Sequence, residues 1–118
     1  MKKIFLFLIF VVLSIISNAQ TPQGMSYQAV IRDASASLVT NQAIGLRISL
    51  LQGSESGTVV YEEIHLPTTN TNGLISLVIG NGSIISGDFE AIDWANGPYF
   101  IKTETDINGG SNYTISGT

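Results

Sequence analysis

Cysteine is absent from the 118 residues, so no disulfide staples this fold and no thiolate can ligate a metal or serve as a nucleophile. It also leaves nothing for a lipoprotein-type anchor to be attached to. Cations are scarce as well, with Lys and Arg together numbering five and two of those being Lys2 and Lys3. Beyond residue 19 only Arg32, Arg47 and Lys102 face nine carboxylates, a net charge of −6. Such a surface has no basic stripe for nucleic-acid phosphates or anionic lipid headgroups. There is one histidine, His65, and one tryptophan, Trp94. After the first nineteen residues no stretch has the 3.6-residue periodicity of a long helix.

The first nineteen residues are a different material. Lys2-Lys3 is followed by the apolar run IFLFLIFVVLSII (4–16) and then by the small-residue stretch Ser17-Asn18-Ala19. Basic start, apolar middle and small-residue end form the pattern of a secretory signal peptide, with Gln20 as the new N-terminus. The apolar run falls short of the roughly 20 residues that a membrane span requires. The reading is therefore a signal peptide over 1–19 and one domain over 20–118, secreted and not inserted in the membrane after cleavage. Stability must come from a hydrophobic core, which a chain of this length can build.

Along 20–118 the dominant signal is alternation of apolar and polar residues, broken by turn residues. Strands are predicted over Ser26–Arg32, Ala43–Leu51, Thr58–His65, Gly73–Ile79, Ser83–Ser86, Pro98–Asp106 and Asn112–Ser116. Four Asn-Gly pairs, at 72–73, 81–82, 96–97 and 108–109, read as hairpin turns. Gly73–Ile79 is apolar on both faces except at Ser76, which predicts an interior strand or one leaning on a neighbouring module. DFEAIDW (88–94) breaks the alternation and reads as a single helical turn or compact loop. About seven short strands with frequent turns predict an all-β, antiparallel β-sandwich, prealbumin-like or immunoglobulin-like.

Five stretches, in order, carry a resemblance: YQAVIRDA, LRISLLQGS with GTVVYEE, TTNTNGLISLVIGNG, IDWANGPYFIKTETD and GGSNYTISGT. Together they resemble the N-terminal domain of secreted proteins common in Bacteroidetes-type bacteria. The resemblance implies a sandwich module ahead of fibre-like or other surface regions, a continuation past Thr118, and no catalytic residues. One departure is Ala34-Ser35-Ala36-Ser37, where a Gly- or Asn-containing turn is expected.

Candidate chemistry is thin. Glu63 and His65 share a strand face, but two ligands fall short of a transition-metal site and read as a surface histidine beside a screening carboxylate. Asp88, Glu90 and Asp93 cluster in the irregular segment, where Asp88 fits a capping role. Asp106-Ile107-Asn108-Gly109 starts like a calcium loop without its closing Glu and reads as a turn. No activated base, nucleophile or cofactor site is visible. Trp94, with Tyr99 and Phe100, reads as a core plug at one end of the sandwich. The packing residues expected to carry a structural role are Leu46, Ile48, Leu74, Leu77, Tyr99 and Trp94. The sequence thus predicts a non-enzymatic structural or assembly module of a longer extracellular or cell-surface protein, involved in adhesion or a fibre. Its partners would be the downstream domains of the same polypeptide and a surface protein or glycan. The alternative is a carbohydrate- or peptide-binding module using Trp94, Tyr99 and Asp93.

Overall fold

The structure, a computed structural model, describes residues 24–118; the signal-peptide reading of 1–19 lies outside the described residues. Seven strands form: β1 (Met25–Val30), β2 (Gly45–Gln52), β3 (Thr58–His65), β4 (Leu74–Ile79), β5 (Ser83–Ser86), β6 (Tyr99–Asp106) and β7 (Ile115–Gly117). They make two antiparallel sheets, β1-β4 and β5-β3-β2-β6-β7. The chain is therefore all-β and sandwich-like, as its alternation predicts.

The core lies between the sheets because the pleat sends alternate side chains to opposite faces. On β2 the inward set is Leu46, Ile48 and Leu50, joined across the core by Ile75 and Ile79 of β4. Ile31, Ile44, Tyr61 and Phe89 complete the buried cluster. In the small sheet, Met25 faces Ile79, Tyr27 faces Leu77 and Ala29 faces Ile75 on the inner side. Val30 and Val78 point out and are exposed. Among the described residues β4 is thus not the interior strand its apolar run suggests; there it is hydrogen-bonded to β1 alone, and its outer face meets no other strand.

On the large sheet's outer face, Arg47 forms a bidentate pair with Glu104, through Nε (3.0 Å) and Nη2 (2.7 Å), and its guanidinium lies 4.6 Å from the centre of the Tyr113 ring. Glu62 and Lys102 extend this charged layer. These long side chains help cover the sheet, and Ser49 beneath them is buried.

Two local readings change. The register jumps between Leu50 and Leu51, so Tyr61 opposes Leu50 while Val59 opposes Leu51. Val60 is the extra residue of a β-bulge, which turns Val59 to the outer face and leaves Tyr61 in the core. Unbroken alternation would have put Val59 and Tyr61 on one face. The Asn-Gly pairs also do different work from that predicted. Only Asn108-Gly109 sits between two paired strands, β6 and β7. Asn81-Gly82 carries the chain from one sheet to the other, and Asn72-Gly73 leads into β4. Gly73 (φ 74°) and Gly109 (φ 85°) have the left-handed backbone that makes glycine the natural choice. Asn-Gly specifies that local geometry and not which strands pair. At the departure noted above, Ala36 takes φ 64° without glycine, while the Asp33 carboxylate accepts the Ser35 and Ser37 amides.

Candidate functional site

The irregular segment folds as two single-turn 3₁₀ helices, Phe89–Ala91 and Trp94–Asn96. Each has its own N-cap: Asp88 Oδ1 accepts the Glu90 amide, and Asp93 Oδ1 accepts the Ala95 amide. The second cap restarts the chain direction at Asp93, so Trp94 does not continue the turn that buries Phe89. Phe89 becomes the plug at 6% exposure, whereas Trp94 is 44% exposed. The core-plug reading of Trp94 is corrected accordingly. An edge-on aromatic series runs outward from the core: Tyr61 to Phe89 (5.4 Å), Phe89 to Trp94 (5.6 Å) and Trp94 to Tyr99 (5.2 Å).

Beside this series lies a cleft of about 320 Å³. Its polar lining is Gln52, Asp88, Asp93, Asn96 and Tyr99, and its apolar lining is Val60, Ala91 and Ile92. Tyr99 and Asp93, two of the three residues expected at a binding site, thus meet in one cavity. Trp94 is joined to it through the Tyr99 ring. Phe100 is not among the lining residues. The Tyr99 hydroxyl donates to the Asp93 carbonyl (2.6 Å), and the Gln52 amide donates to the Asn96 carbonyl (2.9 Å), so β2 and β6 fix the loop. Among the described residues, Oδ2 of Asp88, Oδ2 of Asp93 and the Asn96 side-chain amide have no protein hydrogen bond. No Lys, Arg or His lines the cleft.

A second cavity, about 200 Å³, lies where β1 passes β6 and β7 and is bordered by Tyr27, Ala29, Thr103, Thr105 and Ile115. It presents no charged side chain except Arg32.

Glu63 and His65 require a larger correction. Both lie on the inner face with Tyr61, and Glu63 is fully buried. Its Oε1 accepts the Tyr61 hydroxyl (2.6 Å) and the Gly80 amide (2.7 Å). Its Oε2 accepts the Gly82 amide (3.1 Å) and contacts His65 Nε2. The pair is therefore an internal clamp that ties β3 to the β4–β5 turn, with backbone donors supplying half the contacts. Burial, and then the hydrogen bond to Glu63, pushes the Tyr61 phenol pKa above its ordinary range. Alternation places Glu63 between two other inward residues, Tyr61 and His65, and that was the available signal. The donating amides lie 17 and 19 residues further along, where sequence spacing gives no pairing information.

Asp106 acts in a similar way on the β6–β7 loop. Its carboxylate accepts the amides of Asn108 (2.9 Å), Gly110 (3.0 Å) and Asn112 (3.0 Å). Those amides, Asn108 foremost, hold its pKa below the ordinary value despite the opposing effect of burial. Glu104 is likewise held low, first by its hydrogen bonds to Arg47.

A small all-β, sandwich-like domain with an aromatic-flanked cleft at its loop end is the class these features define. Residues 26–118 match a family described as a domain of unknown function, DUF8740, and the chain belongs to that family. No curated protein and no solved structure matches the chain.

Proposed function

We propose that this chain is a non-enzymatic, exported module of a longer extracellular or cell-surface protein, working by surface contact and not by turnover. The observation that carries this reading is the use made of its shielded carboxylates. Glu63, Glu104 and Asp106 are each engaged by two or more donors that hold strands or loops together. A carboxylate so occupied is not free to act as a general acid, base or nucleophile. The signal-like segment 1–19 supports export, and the two-sheet arrangement agrees with a prealbumin- or immunoglobulin-like module. Exposed Ile84 and Ile85 on β5, an edge strand without charge or proline, favour association with a neighbouring domain.

The test is an antibody against the folded domain, applied to intact and to lysed cells of the source organism. The proposal expects labelling of intact cells and a polypeptide longer than 118 residues that starts at Gln20. Labelling only after lysis, on a polypeptide starting at Met1, would overturn it.

A second reading, a carbohydrate- or peptide-binding module, is favoured by the exposure of Trp94 beside the cleft. It is compatible with the first, since exported modules commonly act by contact.

A further inference from the structure

The cleft bordered by Gln52, Asp88, Asp93, Asn96 and Tyr99 combines three properties that narrow its ligand. Its volume, about 320 Å³, lies at the lower end of small-ligand sites and suits a single ring, not an extended peptide. Its polar groups are of the kind that hydroxyls satisfy well. The free Oδ2 atoms of Asp88 and Asp93 accept hydrogen bonds, and the Asn96 amide both donates and accepts. Tyr99 and Trp94 then supply apolar ring surface at its margin, with their planes inclined at 66°.

The charge of the lining decides further. Asp88 and Asp93 face the cleft with no Lys, Arg or His among the lining residues to offset them. An anionic sugar would be brought against two carboxylates of its own sign, which repel it. A planar apolar ligand would leave the carboxylates dehydrated and unpaired.

We infer that this cleft is a subsite for one uncharged sugar ring of a glycan, with the adjoining ring stacking on Trp94, and that it rejects uronate- or sulfate-bearing chains. This rests on the binding reading above and specifies its ligand class. Recognition divides between hydroxyls held by Asp88, Asp93 and Asn96 and apolar C–H faces laid on Tyr99 and Trp94. A basic peptide side chain is the competing occupant, because it too would neutralise the carboxylates. Asn96 and the inclined pair of rings favour the sugar, since they offer a flat face beside hydroxyl partners instead of a closed cage around a cation.

The lone tryptophan makes the test direct, because its fluorescence reports on Trp94 alone. The purified protein is titrated with maltohexaose, cellohexaose and mannohexaose, with hexagalacturonate, and with a lysine-rich peptide. The inference expects saturable change with at least one neutral oligosaccharide and at least about tenfold weaker binding of the galacturonate. Asn96→Ala is expected to weaken the neutral ligand by about tenfold, with the circular dichroism spectrum retained. Asp93→Asn keeps an N-capping side chain while removing a charge, so it is expected to narrow the gap between neutral and anionic sugars. Equal binding of galacturonate, or no effect of either variant, overturns the inference. Saturation by the lysine peptide alone overturns the sugar assignment and leaves the binding reading standing. Silence from every probe overturns both.

Discussion

Replacing Glu63 by glutamine is a sharp test of the clamp, because the shape is preserved and only the hydrogen-bond pattern changes. Each carboxylate oxygen accepts one backbone amide, Gly80 at Oε1 and Gly82 at Oε2. A glutamine amide must therefore point its NH₂ at one of them, whichever way it is flipped. That leaves at least one buried donor facing another donor, and a backbone N–H has no alternative tautomer. An unsatisfied buried donor costs about 1–3 kcal/mol, and loss of the charge-assisted bonds adds to it, so about 2–4 kcal/mol is expected. For a domain of this size that lowers Tm by roughly 10–25 °C, a large share of a total stability of about 5–15 kcal/mol. Urea and thermal unfolding followed by circular dichroism would measure it. A loss below about 1 kcal/mol would refute the reasoning, since it would mean that the four contacts at Glu63 are replaceable by water.

Phe89→Ala should cost about 3–5 kcal/mol by opening a cavity under Tyr61, whereas Trp94→Ala should cost only about 1 kcal/mol; equal losses would contradict the exchange of plug and rim. Ala36→Gly should stabilise by about 0.5–1 kcal/mol, because φ 64° is strained for alanine and natural for glycine; denaturant midpoints would show a decrease if the turn differs. The folded-state pKa values of Glu104 and Asp106 are depressed, so their stabilisation is complete above the ordinary values of 4.5 and 3.8 and is lost as pH falls through the lower folded values. Unfolding free energy should accordingly decline below about pH 4.5, and Glu104→Gln and Asp106→Asn should each flatten that decline. An unchanged acid slope in both variants would contradict the assigned partners.

The strands were legible because most alternate apolar and polar residues and all are bounded by turn residues. Thr58–His65 and Ser83–Ser86 coincide with β3 and β5, and the others differ by one to three residues at one or both ends. β7 is the shortest, starting at Ile115 and not Asn112, because the Asp106 carboxylate draws the Asn112 amide into the loop. Sheet membership was not legible. Leu74–Ile79 reads apolar on both sides whether it is central or, as found, one of two strands, since periodicity records burial and not neighbours. The bulge at Val60 is invisible for a related reason, as an inserted residue changes face only downstream of a register that pairing defines. Leu74, expected among the packing residues, lies opposite Val30, on the face away from Ile75.

At the candidate site, Asp93, Trp94 and Tyr99 could be grouped from the sequence because they lie within seven residues of one another. Gln52 and Val60 could not, since β2 and β3 bring them to the cleft through long-range pairing. The paired caps Asp88 and Asp93 were the decisive local detail. One cap predicts one turn with Phe89 and Ile92 near a common face; two caps five residues apart reset the path, and the indole is exposed. A charged residue at an inward position was the other missed signal, because Glu63 is tolerated only where the fold supplies donors on every side.

The most direct measurement is an amide correlation spectrum of the isotope-labelled protein during titration with the neutral oligosaccharide that binds best. Contact at the cleft predicts shifts at Gln52, Ala91, Ile92, Asp93, Asn96 and Tyr99 and at the single indole N–H of Trp94. Shifts confined to Tyr27–Arg32 and Ile115–Gly117, at the second cavity, or a spectrum that does not move at saturating sugar, would contradict the account.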